Sequence, residues 1–81
     1  MNKEVLRSLS HILRGELYYD NDIPAHHTMR LAYATDASIY QELPLAVAIP
    51  KDDVDVQRLI EFARTNQTTL IPRAAGTSLA G

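Results

Sequence analysis

The sequence predicts an α/β domain built around one βαβ unit, and three observations carry that expectation. Pro44 and Pro50 bracket Leu45-Ala46-Val47-Ala48-Ile49, an apolar run without alternation, as expected of a strand buried on both faces. Val56, Leu59, Ile60 and Ala63 then stand at i, i+3, i+4 and i+7, the spacing of one helix stripe. Thr68-Thr69-Leu70-Ile71 is β-branched and apolar, with Pro72 closing it. The expected elements are a strand over 45–49, a helix over 53–66 and a strand over 68–71. The two strands should be parallel neighbours joined by a right-handed crossover. Asp52 and Asp53 are N-cap candidates, and Asp55 adds favourable negative charge to the first turn. On the stripe's phase, Gln57, Arg58, Glu61 and Arg64 face solvent.

Upstream, residues 3–14 read as a helix. Val5, Leu6, Leu9, Ile12 and Leu13 share one face. Gly15 follows and can take the left-handed conformation that ends a helix, with Arg14 favourable in the last turn. Residues 16–43 read as irregular. Leu17-Tyr18-Tyr19 suits a short strand or an extended segment, Asp20-Asn21-Asp22 with Pro24 marks a turn, and Arg30 to Tyr40 suits irregular backbone with short helical turns. No repeat, low-complexity tract or linker interrupts the chain.

Composition narrows the function. The 81 residues are 46% hydrophobic and 22% charged, with a formal charge of −2 and a pI near 5.8. That balance lacks the clustered positive charge on which nucleic-acid binding rests. The absence of cysteine excludes a disulfide framework, a thiolate metal site and a cysteine nucleophile within this chain. Its longest apolar run is far shorter than the ~20 residues that span a bilayer, and no secretory signal is visible, so a cytoplasmic location is expected. Two parallel strands need cover and further partners, and the chain stops on small residues. Both points predict a truncated fragment whose remaining strands come from beyond Gly81 or from another copy, as in a crystal.

Chemistry concentrates in Pro72-Arg73-Ala74-Ala75-Gly76-Thr77-Ser78-Leu79-Ala80-Gly81. A small-residue run at the carboxyl end of a parallel strand is where α/β proteins place ligands. Without bulky side chains, successive backbone N–H groups can converge on an anion, with Thr77 and Ser78 adding hydroxyls and Arg73 charge. It lacks the Gly-Lys-Ser/Thr of the ATPase loop and the Gly-x-Gly-x-x-Gly of Rossmann folds, and a plain connecting loop is the competing reading. No metal site is expected: adjacent His26 and His27 diverge in regular structure, and Asp20-Asn21-Asp22 lacks the Gly and terminal Glu of a calcium loop. Asp36 and Ser38 suit local hydrogen bonds rather than catalysis. Tyr18, Tyr19, Tyr33 and Tyr40 suit the edge of a core.

Three blocks carry a family resemblance: Tyr33-Ala34-Thr35-Asp36-Ala37-Ser38-Ile39-Tyr40, then Pro44 to Pro50, then Pro72 to Gly81. In this order and spacing they resemble the amino-terminal part of FAD-linked oxidases of the vanillyl-alcohol-oxidase type. The branch of glycolate oxidase, D-lactate dehydrogenase and D-2-hydroxyglutarate dehydrogenase is the most similar, including bacterial forms fused to an iron–sulfur half. The resemblance implies the start of an FAD-binding subdomain. It also implies that the pyrophosphate loop 73–81 wraps FAD through Arg73, Ala74, Ala75, Gly76, Thr77, Ser78 and Gly81. Many relatives carry Gly where Ala74 and Ala75 stand, which favours Gly76, Thr77 and Ser78 as contacts. By the same resemblance the parent oxidises a small 2-hydroxy acid, the catalytic residues and any iron–sulfur centre lie outside this chain, and electron-transfer partners can hold the parent at the inner membrane. Two competing functions are a stand-alone interaction module using the Val5, Leu6, Leu9 and Ile12 face, and a phosphate-binding module without redox activity.

Overall fold

The computed structural model describes residues 2–34, 44–72 and 76–80. Their order is α1 (Lys3–Ile12), β1 (Glu16–Tyr18), α2 (Pro24–Ala34), β2 (Ala46–Ile49), α3 (Asp53–Asn66), β3 (Thr69–Pro72) and β4 (Thr77–Ala80). The strands form one sheet in the order β1-β2-β4-β3, and every neighbouring pair is antiparallel.

This corrects the expected pairing. β2 and β3 do run in the same direction with α3 crossing between them, but β4 lies between the two and pairs with both. The arrangement is a split βαβ unit. β1 and β4 therefore supply two strands from within the chain, where partners from outside it were expected. The reason is length: Thr77–Ala80 is long enough to form a strand, and its small residues fit between two others without crowding.

The sheet's pleat separates two faces. Leu17, Ala46, Ala48 and Leu79 pack with Leu6, Leu9 and Leu13 and with Leu59 of α3 to form the core, and Tyr19, Phe62 and Leu70 border it. The other face carries the cross-strand row Tyr18, Val47, Ser78, Ile71. α2 packs against β1 and β2.

α1 starts at Asn2, whose side chain accepts from Val5 N–H at 3.0 Å. It stops two residues earlier than expected. Leu13 is its C-cap in extended conformation, and no described glycine has positive φ. Gly15 serves space instead. A Cβ there would sit 2.0 Å from the Ile49 carbonyl oxygen and 2.9 Å from Lys51 N, so only glycine lets β1 approach the end of β2.

Within residues 16–43, β1 realises the short strand allowed for Leu17-Tyr18-Tyr19, and α2 is a helix where irregular backbone was expected. Pro24 is the first residue of α2, the position where its missing N–H costs nothing. The turn expected before it is present: Asp20 Oδ1 accepts from Asp22 N–H at 2.9 Å, an Asx turn. Residues 35–40, with Asp36, Ser38 and Tyr40, lie outside the described residues.

α3 matches its expected bounds. Asp52 caps it, accepting from Asp55 N–H at 3.0 Å, and Gln67 ends it in the left-handed region at φ 54°. Its phase differs from expectation. Leu59 and Ala63 are buried as predicted, but Val56 and Ile60 are 42% and 46% exposed, and the third buried residue is Asp55. Ile12 of α1, expected inward, is likewise exposed.

Candidate functional site

Among the residues expected to hold an anion, Gly76, Thr77 and Ser78 are described, whereas Arg73, Ala74, Ala75 and Gly81 are not. Gly76 is buried just before β4. Thr77 and Ser78 lie inside β4, opposite Ala48 and Val47 on one side and Pro72 and Ile71 on the other. The expected open loop is thus, from Thr77 onward, a strand flanked on both sides.

The main-chain directions follow from one bond. The Leu79 carbonyl accepts from Leu45 N–H at 2.7 Å, so Leu79 and Thr77 direct their backbone polar groups towards β2. Ser78 and Ala80 direct theirs towards β3. In this arrangement the amides of β4 are committed to the sheet. Pro72 falls at a position pointing away from β4, where an edge strand tolerates its missing donor.

Ser78 is the chemically unusual member. Its side chain is 2% exposed and its hydroxyl has no hydrogen-bond partner. Its cross-strand neighbours, Val47 and Ile71, offer no acceptor. A buried unpaired hydroxyl costs about 1–3 kcal/mol, so this strand retains an unused donor that an anion would satisfy. The small side chains and the spare hydroxyl fit a phosphate; the strand conformation withholds the amides.

A second polar centre was not legible from spacing. Asp55 is fully buried. Its Oδ1 accepts from Arg14 N–H at 2.8 Å, and its Oδ2 accepts from Gly15 N–H at 2.8 Å and Lys51 N–H at 2.9 Å. Burial pushes its carboxyl up, but the N–H groups of Arg14, Lys51 and Gly15 together outweigh that and hold it below the ordinary 3.8. This carboxylate joins the α1–β1 corner to the β2–α3 corner. With three backbone donors on its two oxygens, it is a structural clamp.

A cleft of about 330 Å³ lies between the start of α1 and the turn before α2, lined by Lys3, Leu6, Tyr19, Asp20, Arg30 and Leu45 among others. Lys3 Nζ pairs with Asp20 at 2.9 Å and Asp22 at 3.2 Å. The hydrogen bond between them raises the Lys3 pKa and lowers that of Asp20. Arg30, almost fully buried, donates from Nε to the Pro44 carbonyl at 2.9 Å and from Nη1 to Asn21. His26 Nδ1 accepts from both Tyr19 and Asp20 N–H at 3.0 Å, with the Tyr18 and Tyr19 rings against its imidazole. That nitrogen is therefore occupied in holding the turn. Among the described residues no group of three or more His, Cys, Asp or Glu is placed to hold a metal ion, and no helix is long and apolar enough to cross a membrane.

The chain is 36% identical over 67 residues to the D-2-hydroxyglutarate dehydrogenase of Haemophilus influenzae, covering 79% of this chain and 6% of that protein. It is 41% identical over 66 residues to the D-2-hydroxyglutarate dehydrogenase of Pseudomonas putida, covering 78% and 7%. This chain is a relative of D-2-hydroxyglutarate dehydrogenases. The glycolate oxidase subunit GlcD of Bacillus subtilis is 34% identical over 53 residues, covering 64% and 11%. The resemblance to this branch of the FAD-linked oxidases, read from the three blocks, is borne out. The chain spans only 6–11% of the length of these relatives. No family profile and no solved structure matches it.

Proposed function

We propose that this chain is the FAD-binding amino-terminal segment of a flavin-dependent dehydrogenase that oxidises a small 2-hydroxy acid. Flavin supplies the hydride-accepting chemistry, and the protein binds and positions it. Arg73, Ala74, Ala75, Gly76, Thr77, Ser78 and Gly81 are the residues assigned to the FAD pyrophosphate. Arg73 contributes charge, Thr77 and Ser78 contribute hydroxyls, and the small residues allow main-chain N–H groups to approach. Substrate contacts and proton transfer belong to residues outside this chain, as does any iron–sulfur centre.

The observation that carries this reading is the coincidence of the small-residue run with the buried, unpartnered Ser78 hydroxyl, in a chain related to 2-hydroxy acid dehydrogenases. Charge-assisted hydrogen bonds to a phosphate are worth roughly 1.5–3 kcal/mol each. The test is FAD titration of the apo form of the full protein carrying this sequence. Gly76→Asp, which brings bulk and negative charge to the anion, is expected to weaken binding by about tenfold or more, while Thr77→Ser changes it little. Equal FAD affinity in a folded Gly76→Asp protein would reduce the segment to a connector.

A further inference from the structure

We propose that the free edge of β3 and the outer flank of α3 form one self-complementary face, at which two copies of this chain pair about a twofold axis. Strand then meets strand and helix meets helix, both antiparallel. No residue assigned to FAD takes part. The backbone of β3 supplies the first observation. β3 is an edge strand. Ser78 and Ala80 direct their polar groups at Ile71 and Thr69, so Leu70 and Pro72 direct theirs outward. Pro72 has no N–H, and the outward groups of these two residues are therefore the Leu70 N–H and two carbonyls. That set matches itself. With Ile71 opposite Ile71 of the second copy, each Leu70 N–H meets the Pro72 carbonyl of the other copy, and the position that lacks a donor needs none. The two Ile71 side chains, exposed in the single copy, become close cross-strand neighbours.

The helix supplies the second. α1 packs over β1 and α3 over β3, at opposite ends of the sheet. One flank of α3 faces α1, where Arg58, Phe62 and Thr65 line a cleft with Ile12. Val56 and Ile60 stand on the other flank, which overhangs the β3 edge, and both are exposed. Asp53 lies one turn before this pair and Arg64 one turn after it, both exposed and neither in an ion pair among the described residues. Asp53, Val56, Ile60 and Arg64 thus make a single stripe, acidic at one end, apolar in the middle and basic at the other. Laid antiparallel on its own copy, the stripe sets Val56 against Ile60 and Asp53 against Arg64, twice over. The two registers agree. α3 turns into β3 through Gln67 and Thr68, and the middle of α3 and Ile71 each lie roughly 10 Å back from that turn, at rises of about 1.5 and 3.3 Å per residue. One axis therefore centres both the strand pair and the helix pair, as an isologous interface requires.

Sedimentation equilibrium of the 81-residue chain tests this. At roughly 100 μM, where even a small interface associates, a species of twice the 9.1 kDa chain mass is expected, and a monomer throughout would overturn the proposal. Ile60→Glu, verified as folded by circular dichroism, should be monomeric; a dimer of unchanged affinity would mean that this face is not the one used. A charge exchange separates contact between copies from any effect on the helix itself. Asp53→Lys sets lysine against Arg64 of the second copy, and Arg64→Glu sets glutamate against Asp53. Each variant alone should associate about tenfold more weakly than wild type. Their equimolar mixture, in which both contacts again join opposite charges, should recover the wild-type affinity as a heterodimer. No recovery on mixing would overturn the antiparallel register. Amide exchange of Leu70 reads the strand pair directly. Protection should be present in the dimer and lost on dilution to monomer; protection that persists in the monomer would show another part of the same chain on this edge and overturn the proposal.

Discussion

Replacing Asp55 by Ala removes the carboxylate that accepts from Arg14, Gly15 and Lys51 N–H. Each buried donor left unsatisfied costs about 1–3 kcal/mol. Partial entry of water reduces the simple total, so the expected loss is about 3–5 kcal/mol, the range seen when a buried charged group's partner is deleted. A domain of this size has about 4–12 kcal/mol of stability to lose, so the variant should be close to unfolding at room temperature. Asp55→Asn is nearly as damaging. Its single oxygen can serve either Arg14 or the Gly15–Lys51 pair, and its NH₂ then confronts the N–H groups left over. The pH dependence has a definite sign. The folded carboxyl is held below its ordinary value of 3.8, so its contribution is fully present above that value and is lost as pH falls through the depressed folded value. Urea unfolding of wild type and Asp55→Ala at pH 7 and pH 3 measures both effects. The gap between the two proteins should narrow at the lower pH. A loss below about 1 kcal/mol at pH 7, or a gap unchanged at pH 3, would refute the clamp.

Gly15→Ala places a methyl 2.0 Å from the Ile49 carbonyl oxygen and should cost about 3 kcal/mol, read by the same unfolding assay. Leu59→Ala should cost about 2–5 kcal/mol as a core truncation, whereas Val56→Ser and Ile60→Ser should each stay within about 0.5 kcal/mol because those side chains are exposed. Reversal of that order in thermal melts would contradict the observed phase of α3. Gln67→Gly relieves a left-handed residue at the expense of a freer unfolded chain and should raise stability by about 0.5–1 kcal/mol.

The elements differ in how plainly their residues announce them. α3 was legible to the residue, because Asp52 caps it and an apolar stripe repeats along it. Its orientation was not. Val56 and Ile60 lengthen the stripe on the solvent side, while the residue that turns the helix is the charged Asp55, whose partners are backbone N–H groups remote in sequence. Hydrophobic periodicity counts such an aspartate as exposed. α2 was missed because its inward residues include Arg30 and the half-buried His26, while Leu31 is exposed, leaving little apolar rhythm. β2 and β3 were legible as strands, but pairing order is a property of the whole sheet. Nothing local to Thr77–Ala80 marks it as the strand that lies between them. For the candidate site, residue chemistry pointed to Gly76, Thr77 and Ser78, and only the sheet showed that their amides are engaged.

The clamp at Asp55 also bears on the order in which the molecule assembles. β3 and β4 are joined by residues 73–76 alone, so their pairing closes a short loop and can form early. Asp55 instead joins groups 40 and 41 positions away in the chain, contacts that become available only after β1 and β2 have been drawn together. Disturbing the β3–β4 pair should therefore slow refolding. Loss of the Asp55 carboxylate should leave the refolding rate almost unchanged and appear as faster unfolding, making the α1–β1 corner the gate that sets the lifetime of the folded chain.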